Sequence, residues 1–237
     1  MSKLFFLFLM LLGALPAYAS SDSCLASLKP NTHLSQELIN SLTPLGTAFL
    51  KDNGTALFFS EDSPTVGNQK GGVTVIDFFD YQCSYCKRFS PLFVELAATQ
   101  PQLRVVFKEL PIFGQESEAA SLAALAAYKE GKYVPLHEKL MALVNLDQSH
   151  IASLSEEAGV TPTLLSTYEK QDNQELVRNF GLSDKLHLIG TPSFVIASIK
   201  PVQLKEKKYE AIHAYYIAGA IDVPEMRALV KEFAEKC

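Results

Sequence analysis

Cys83-Ser84-Tyr85-Cys86 places two thiols three residues apart, directly after an apolar run at residues 73–79 and at the start of a segment with helical spacing. Cysteines so spaced share one face of a helix's first turn. The unpaired N–H groups and positive dipole end of such a helix favour thiolate over thiol, most strongly at Cys83. A thiolate that can attack a disulfide, with a second thiol one turn behind it, equips a chain for thiol–disulfide exchange. Zinc is the rival use of paired cysteines, but it needs about four ligands. No second Cys or His pair with ligand spacing accompanies this one, so neither metal nor cofactor is expected. His33, His137, His150, His187 and His213 are scattered and read as surface or core residues; only His187 lies near the segment at 190–194.

The start of the chain points to an oxidising compartment. Lys3, the apolar stretch 4–15 and Ala17-Tyr18-Ala19 form a charged, an apolar and a small-x-small region in turn, so residues 1–19 read as a secretory signal peptide. No later stretch reaches the roughly 20 apolar residues of a transmembrane helix. Ser21-Asp22-Ser23 before Cys24 lacks the small, apolar context of a lipid-attachment site. A soluble periplasmic or secreted protein is expected. Without the leader, 218 residues carry 20 basic and 26 acidic side chains, net −6, which leaves no electrostatic footprint for nucleic acid. The chain has four cysteines, an even set for an exported protein. Cys24 and Cys237, at opposite ends of the mature chain, stand as a structural disulfide, two free thiols or intermolecular links. Asn53-Gly54-Thr55 is a formal glycosylation sequon that carries no weight behind a bacterial-type leader.

The elements that must position the thiols follow from periodicity. Residues 20–55 read as a separate N-terminal helical region, with Leu34, Leu38, Leu42, Leu45 and Phe49 in a stripe that Ile39 and Leu50 widen. Pro44 interrupts it, and Thr43 is a candidate cap for a second short helix. The stripe covers either its own domain or a second copy; we expect a dimer seam. Residues 55–59 read as a short strand, 60–72 as a polar connector, and 73–79 and 103–110 as strands flanking a helix that starts at Cys83 and contains Pro91. Together the last three form a right-handed βαβ unit. Helical patterns fill 119–128, 133–144, 150–158 and 162–180, with Gly159 and Gly181 as stops. Strands are expected at 193–197 and 211–218, the latter holding Tyr215-Tyr216, around a charged, solvated loop at 200–210. A helix at 223–235 closes the chain, opened by a capping box of Asp222 and Glu225.

That order resembles the DsbA-like branch of the thioredoxin superfamily over roughly residues 56–237. Three segments carry the resemblance: Asp77-Phe78-Phe79-Asp80-Tyr81-Gln82-Cys83-Ser84-Tyr85-Cys86-Lys87, Phe107-Lys108-Glu109-Leu110-Pro111 and Gly190-Thr191-Pro192-Ser193-Phe194. It implies an α/β, thioredoxin-like fold with a helical insertion at about 116–185, here with an N-terminal helical extension. It also implies Cys83 as nucleophile and Cys86 as resolving thiol, with Thr191-Pro192 as the cis-proline dipeptide beside them. Asp77, partnered by Lys108, is implied as the buried carboxylate that relays a proton to or from Cys86. A membrane partner follows, either a DsbB-like reoxidase or a DsbD-like reductase. Two departures bear on direction. Ser84-Tyr85 lacks the histidine of the strongly oxidising DsbA dipeptide, so a less oxidising site is expected. Thr191, Tyr85 and the N-terminal extension are similar to those of the dimeric isomerases DsbC and DsbG. The expected function is an exported, homodimeric thiol–disulfide oxidoreductase that forms and rearranges disulfides in exported proteins. The alternatives are a reductively maintained isomerase or reductase, and a non-enzymatic dimeric chaperone or surface-binding protein.

Overall fold

The structure is a computed structural model that describes residues 23–170, 174–203, 208–219 and 221–237. The expected leader at 1–19 lies outside the described residues.

Two apolar strands organise the fold. β3 (Val73–Phe79) and β4 (Leu103–Glu109) are buried along their whole length, as strands in the middle of a sheet covered on both faces must be. They pair in parallel, Val73 opposite Leu103 and Phe79 opposite Glu109, across α4 (Cys86–Thr99). Around them stand β1 (Thr43–Pro44), β2 (Thr65–Gly67), β5 (Ser193–Gln203) and β6 (Lys208–Ala218), in the order β1-β6-β5-β3-β4-β2. Between β4 and β5 the chain makes the expected helical insert: α5 (Gln115–Lys129), α6 (Tyr133–Ala142), α7 (Gln148–Glu157), α8 (Pro162–Lys170) and α9 (Gln174–Leu186). α10 (Val223–Lys236) ends the chain.

Alternation along β3 divides the core in two. Val73, Val75 and Phe79 face α4, α5, α6 and α10, whereas Ile76 and Phe78 face α9 and α3 (Thr47–Phe58). α3 corrects one expectation, because residues 55–58, expected in a strand, form its last turn. Thr55, Phe58 and Phe59 favour strands locally, but the buried positions Asn53, Gly54, Leu57 and Phe58 recur at helical spacing, and packing on the sheet decides.

The N-terminal segment is part of the same core. α1 (Ser23–Ser27), α2 (Gln36–Ser41) and the links around them bury Leu28, Leu34, Leu38, Ile39 and Leu42 with β3 and α10, while Leu45, Phe49 and Leu50 pack on the second core. The stripe expected to form a dimer seam is therefore covered by its own chain. Thr43 caps no helix: it pairs with Tyr216 in β1, and Gly46 precedes α3. Cys24 and Cys237 are disulfide-bonded, Cα–Cα 4.9 Å, which closes the alternatives left open for them.

Three smaller expectations also change. Gly159, at φ +82°, ends α7 as expected, but Gly181 sits inside α9, where burial of Leu182 and Leu186 outweighs a glycine penalty of about 1 kcal/mol. Asp222 precedes α10 without a side-chain cap bond; Glu225 Oε1 instead accepts from the Ser35 N–H at 3.1 Å and ties α10 to the N-terminal region. The charged stretch 200–210 is not simply a loop, because the β5–β6 ladder runs through Lys200 and Glu210 to Gln203 and Lys208. Residues 204–207 lie outside the described ones.

Candidate active site

The turn after β3 is built by a buried carboxylate. Asp80 Oδ1 accepts from the Gln82 N–H at 2.7 Å and the Ser117 hydroxyl at 2.6 Å, and Oδ2 accepts from the N–H groups of Ile112 and Phe113 at 2.7 and 3.0 Å. These bonds fasten the turn to the loop after β4. The Cys83 N–H then donates to the Asp80 carbonyl at 3.1 Å, and the Cys83 carbonyl accepts from the Lys87 N–H at 3.2 Å. α4 begins at Cys86 rather than at Cys83, so the first cysteine stands just ahead of the helix and the second in its first turn.

Both cysteines are free thiols in environments of opposite effect. The Cys86 N–H lies 3.5 Å from Cys83 Sγ, and Cys83 Sγ donates to the Thr191 carbonyl at 3.2 Å. Hydrogen bonding from the Cys86 side chain leads the effects that bring the Cys83 thiol down to about 6; the Cys86 N–H and the Thr191 side chain add to it, burial opposes it, and the bond to the Thr191 carbonyl belongs to the protonated thiol. Cys86 is fully buried, and loss of solvent, the bond to Cys83 and the charge of Asp77 push its thiol far up. At neutral pH the pair is a thiolate at Cys83 and a thiol at Cys86.

Thr191-Pro192 is cis and immediately precedes β5. The β3–β5 register sets Ser193 opposite Phe78 and Phe194 opposite Asp77, which carries the dipeptide to the end of β3 where the cysteine turn starts. Phe194 packs on Phe89 and Phe93 of α4, ring centroids 5.0 and 5.6 Å apart, and fixes the helix against that strand.

Asp77 is 1% exposed and neither carboxylate oxygen has a hydrogen-bond partner. Burial raises its pKa well above the usual range, and the neighbouring Cys83 adds to the rise. The expected partner is elsewhere. Lys108 binds Glu175 Oε1 at 3.2 Å, the Ser63 hydroxyl at 2.6 Å and the Ala56 carbonyl at 2.7 Å, all on the second face of the sheet. Lys108 pairs in register with Phe78 while Asp77 pairs with Phe107, and adjacent strand positions point to opposite faces. The Asp77–Lys108 pair is thus corrected to an unpaired Asp77 and a Lys108–Glu175 ion pair.

Ser84 and Tyr85 are exposed, and Arg88 lies over the Tyr85 ring at 4.6 Å. Phe113, 54% exposed, is held beside the motif by a bond from Gln82 Nε2 to its carbonyl at 3.0 Å. His187 closes α9 at φ 53° and makes no contact with the cysteines. Sequence reasoning missed Asp80, Tyr81, Glu109, Ser90 and His137, all buried polar groups around the motif. The only signal was their polarity within otherwise apolar runs.

Residues 74–227 match the DSBA-like thioredoxin domain family. The chain belongs to that family. The catalytic domain of ScsC from Proteus mirabilis is 29% identical, with 80% of this chain and 98% of that one covered and a TM-score of 0.64. A periplasmic thioredoxin-like protein from Salmonella enterica serovar Typhimurium is 26% identical, covering 81% and 98%, with a TM-score of 0.65. Among curated relatives, the Na(+)/H(+) antiporter NhaA 3 of Salinispora tropica is 25% identical over 137 residues, 55% of this chain but only 21% of that protein. The DSBA-like assignment agrees with the geometry: a thioredoxin-like fold with a cysteine pair at a helix start and a cis-proline beside it.

Proposed function

We propose that the chain is an exported thiol–disulfide oxidoreductase acting on cysteine pairs of exported proteins. The observation that carries this reading is Cys83 Sγ, 3.5 Å from the Cys86 N–H that donates to it, with its thiol brought down to about 6. In the reducing direction the Cys83 thiolate attacks a substrate disulfide, forming a mixed disulfide and releasing one substrate thiolate. Asp77 takes the Cys86 proton; Cys86 attacks Cys83 Sγ, releasing the second substrate thiolate and leaving the enzyme disulfide. Oxidation of a substrate dithiol runs the same steps backwards, two electrons passing to the enzyme. Cys83→Ser is expected to abolish exchange and Cys86→Ser to accumulate mixed disulfides; trapping in the Cys83 variant would reverse the roles.

Direction depends on the partner, a DsbB-like reoxidase or a DsbD-like reductase. Ser84-Tyr85 offers no imidazolium to the thiolate, which favours a less oxidising pair and keeps the isomerase reading in play. Thiol trapping in the periplasm separates the two: a mostly oxidised pair means oxidase, a mostly reduced one isomerase or reductase. Full activity in a Cys83→Ser, Cys86→Ser double variant would support the chaperone alternative. A homodimer would have to use the exposed residues of 20–55, since the apolar ones are covered, and light scattering of the exported protein decides the point.

A further inference from the structure

Behind the cysteine turn runs a buried polar chain that the exchange steps do not use. Ser90, on α4 one turn beyond Cys86, lies with its hydroxyl 2.8 Å from His137 Nε2. Nδ1 of the same ring is 3.0 Å from the hydroxyl of Tyr81, two residues before Cys83. Tyr81 donates to Glu109 Oε1 at 3.1 Å, Tyr133 donates to the same oxygen at 3.0 Å, and Ser121 donates to Oε2 at 2.8 Å. None of these residues is more than 3% exposed.

Counting protons gives the chain a direction. The Tyr81 hydroxyl has one proton and gives it to Glu109, so its oxygen accepts from His137 Nδ1–H. Nε2 is then left to accept from Ser90, and this tautomer satisfies every member. Burial brings the His137 pKa down to about 3, which keeps the ring neutral. Burial raises the Glu109 carboxyl to about 8, with the Ser121, Tyr133 and Tyr81 hydroxyls opposing the rise.

The chain has a place as well as a direction. Tyr81 is the flank before Cys83 and Ser90 the flank after Cys86, whereas His137 and Tyr133 belong to α6 and Ser121 to α5. The helical insert therefore grips the motif from both sides. Cys83 Sγ sits at 3.2 and 3.5 Å from its two partners, distances at which a few tenths of an ångström change a hydrogen bond's strength. We propose that Ser90, His137, Tyr81 and Glu109 are positioning residues, which lock the two flanks of the motif so that Cys83 Sγ stays in register with the Cys86 N–H that donates to it, and thereby set how readily the cysteine pair is oxidised.

The inference rests on the exchange function, but its test needs no substrate. Reduced full-length protein carrying Tyr81→Phe, Ser90→Ala or both is titrated by thiolate absorbance and equilibrated with glutathione. Each single change is expected to raise the Cys83 midpoint by about half a pH unit or more, roughly a threefold change in the glutathione equilibrium constant. The double variant should shift by less than the sum, because both changes break one chain. Ser63→Ala, which removes a buried hydroxyl on the other face of the sheet, serves as control and should leave the midpoint in place. Unchanged midpoints in both single variants, or an equal shift in the control, would overturn the proposal. Shifted midpoints in a protein inactive on every disulfide substrate would sink the functional reading and support the positioning role.

Discussion

Asp77 and Lys108 stand on adjacent parallel strands yet on opposite faces of the sheet, Asp77 paired with Phe107 and Lys108 with Phe78. The acid is therefore alone behind the cysteines, with both oxygens unbonded, and the lysine belongs to a separate ion pair with Glu175. One buried carboxyl has no partner and is coupled to the thiols; the lysine is paired in place.

For Asp77 this predicts opposite effects on stability and activity. Asp77→Ala removes a buried polar group without a partner, so chemical denaturation should show a gain of about 1–3 kcal/mol. Loss of the proton acceptor should slow resolution of the mixed disulfide by on the order of 100-fold near neutral pH, read by quenched-flow trapping. A variant both less stable and fully active would contradict this placement.

Lys108→Met should do the reverse. It takes the lysine from buried Glu175, which keeps Arg178 at 3.0 Å, at a cost of about 1.5–3 kcal/mol in denaturant unfolding. The Cys83 thiolate titration should not move, since the lysine faces the other core. Movement of that titration would restore a link to the site.

The pH dependence follows from the Cys83 thiol, brought from about 9 to about 6. Between those values the folded, reduced protein has shed from Cys83 a proton that the unfolded chain keeps, so this thiol's contribution to stability rises with pH across the window and is lost as pH falls through about 6, while Glu109, raised to about 8, acts in the opposite sense in the lower part of it. Alkylation of Cys83 by iodoacetamide should rise and level off around the same value. The stability lost in Cys83→Ser should therefore grow with pH across the window, and an alkylation midpoint near 9 would show that the hydrogen bonds from Cys86 do not stabilise the thiolate.

The bond between Cys24 and Cys237 closes a loop of 213 residues. Chain entropy puts its stabilisation at about 5 kcal/mol as a ceiling. The Cys24→Ser, Cys237→Ser variant should therefore melt at a lower temperature while keeping the Cys83 thiolate midpoint, both measurable on one sample. A changed midpoint would mean that the ends of the chain also position the site.

What the sequence by itself determined is what depends on neighbouring residues. The cysteines three apart after an apolar run mark a helix start near them, and the runs at 73–79 and 103–110 read as strands from their own composition. The insert's first three helices followed from their spacing, and Gly159 from its need for a left-handed backbone, whereas the single helix expected over 162–180 is instead α8 and α9. The tertiary structure alone decided which distant groups meet. Residues 55–58 are helical because Leu57 and Phe58 must reach the sheet, against their own strand preference. Lys108 lies one position from Asp77's partner in the β3–β4 register and so on the opposite face, and the segment at 23–55 packs into the cores it was expected to leave bare. The buried chain from Ser90 to Glu109 was invisible for the same reason: its members come from separate elements, and polar side chains become partners only when packing removes water and leaves each other as the remaining hydrogen-bonding choice.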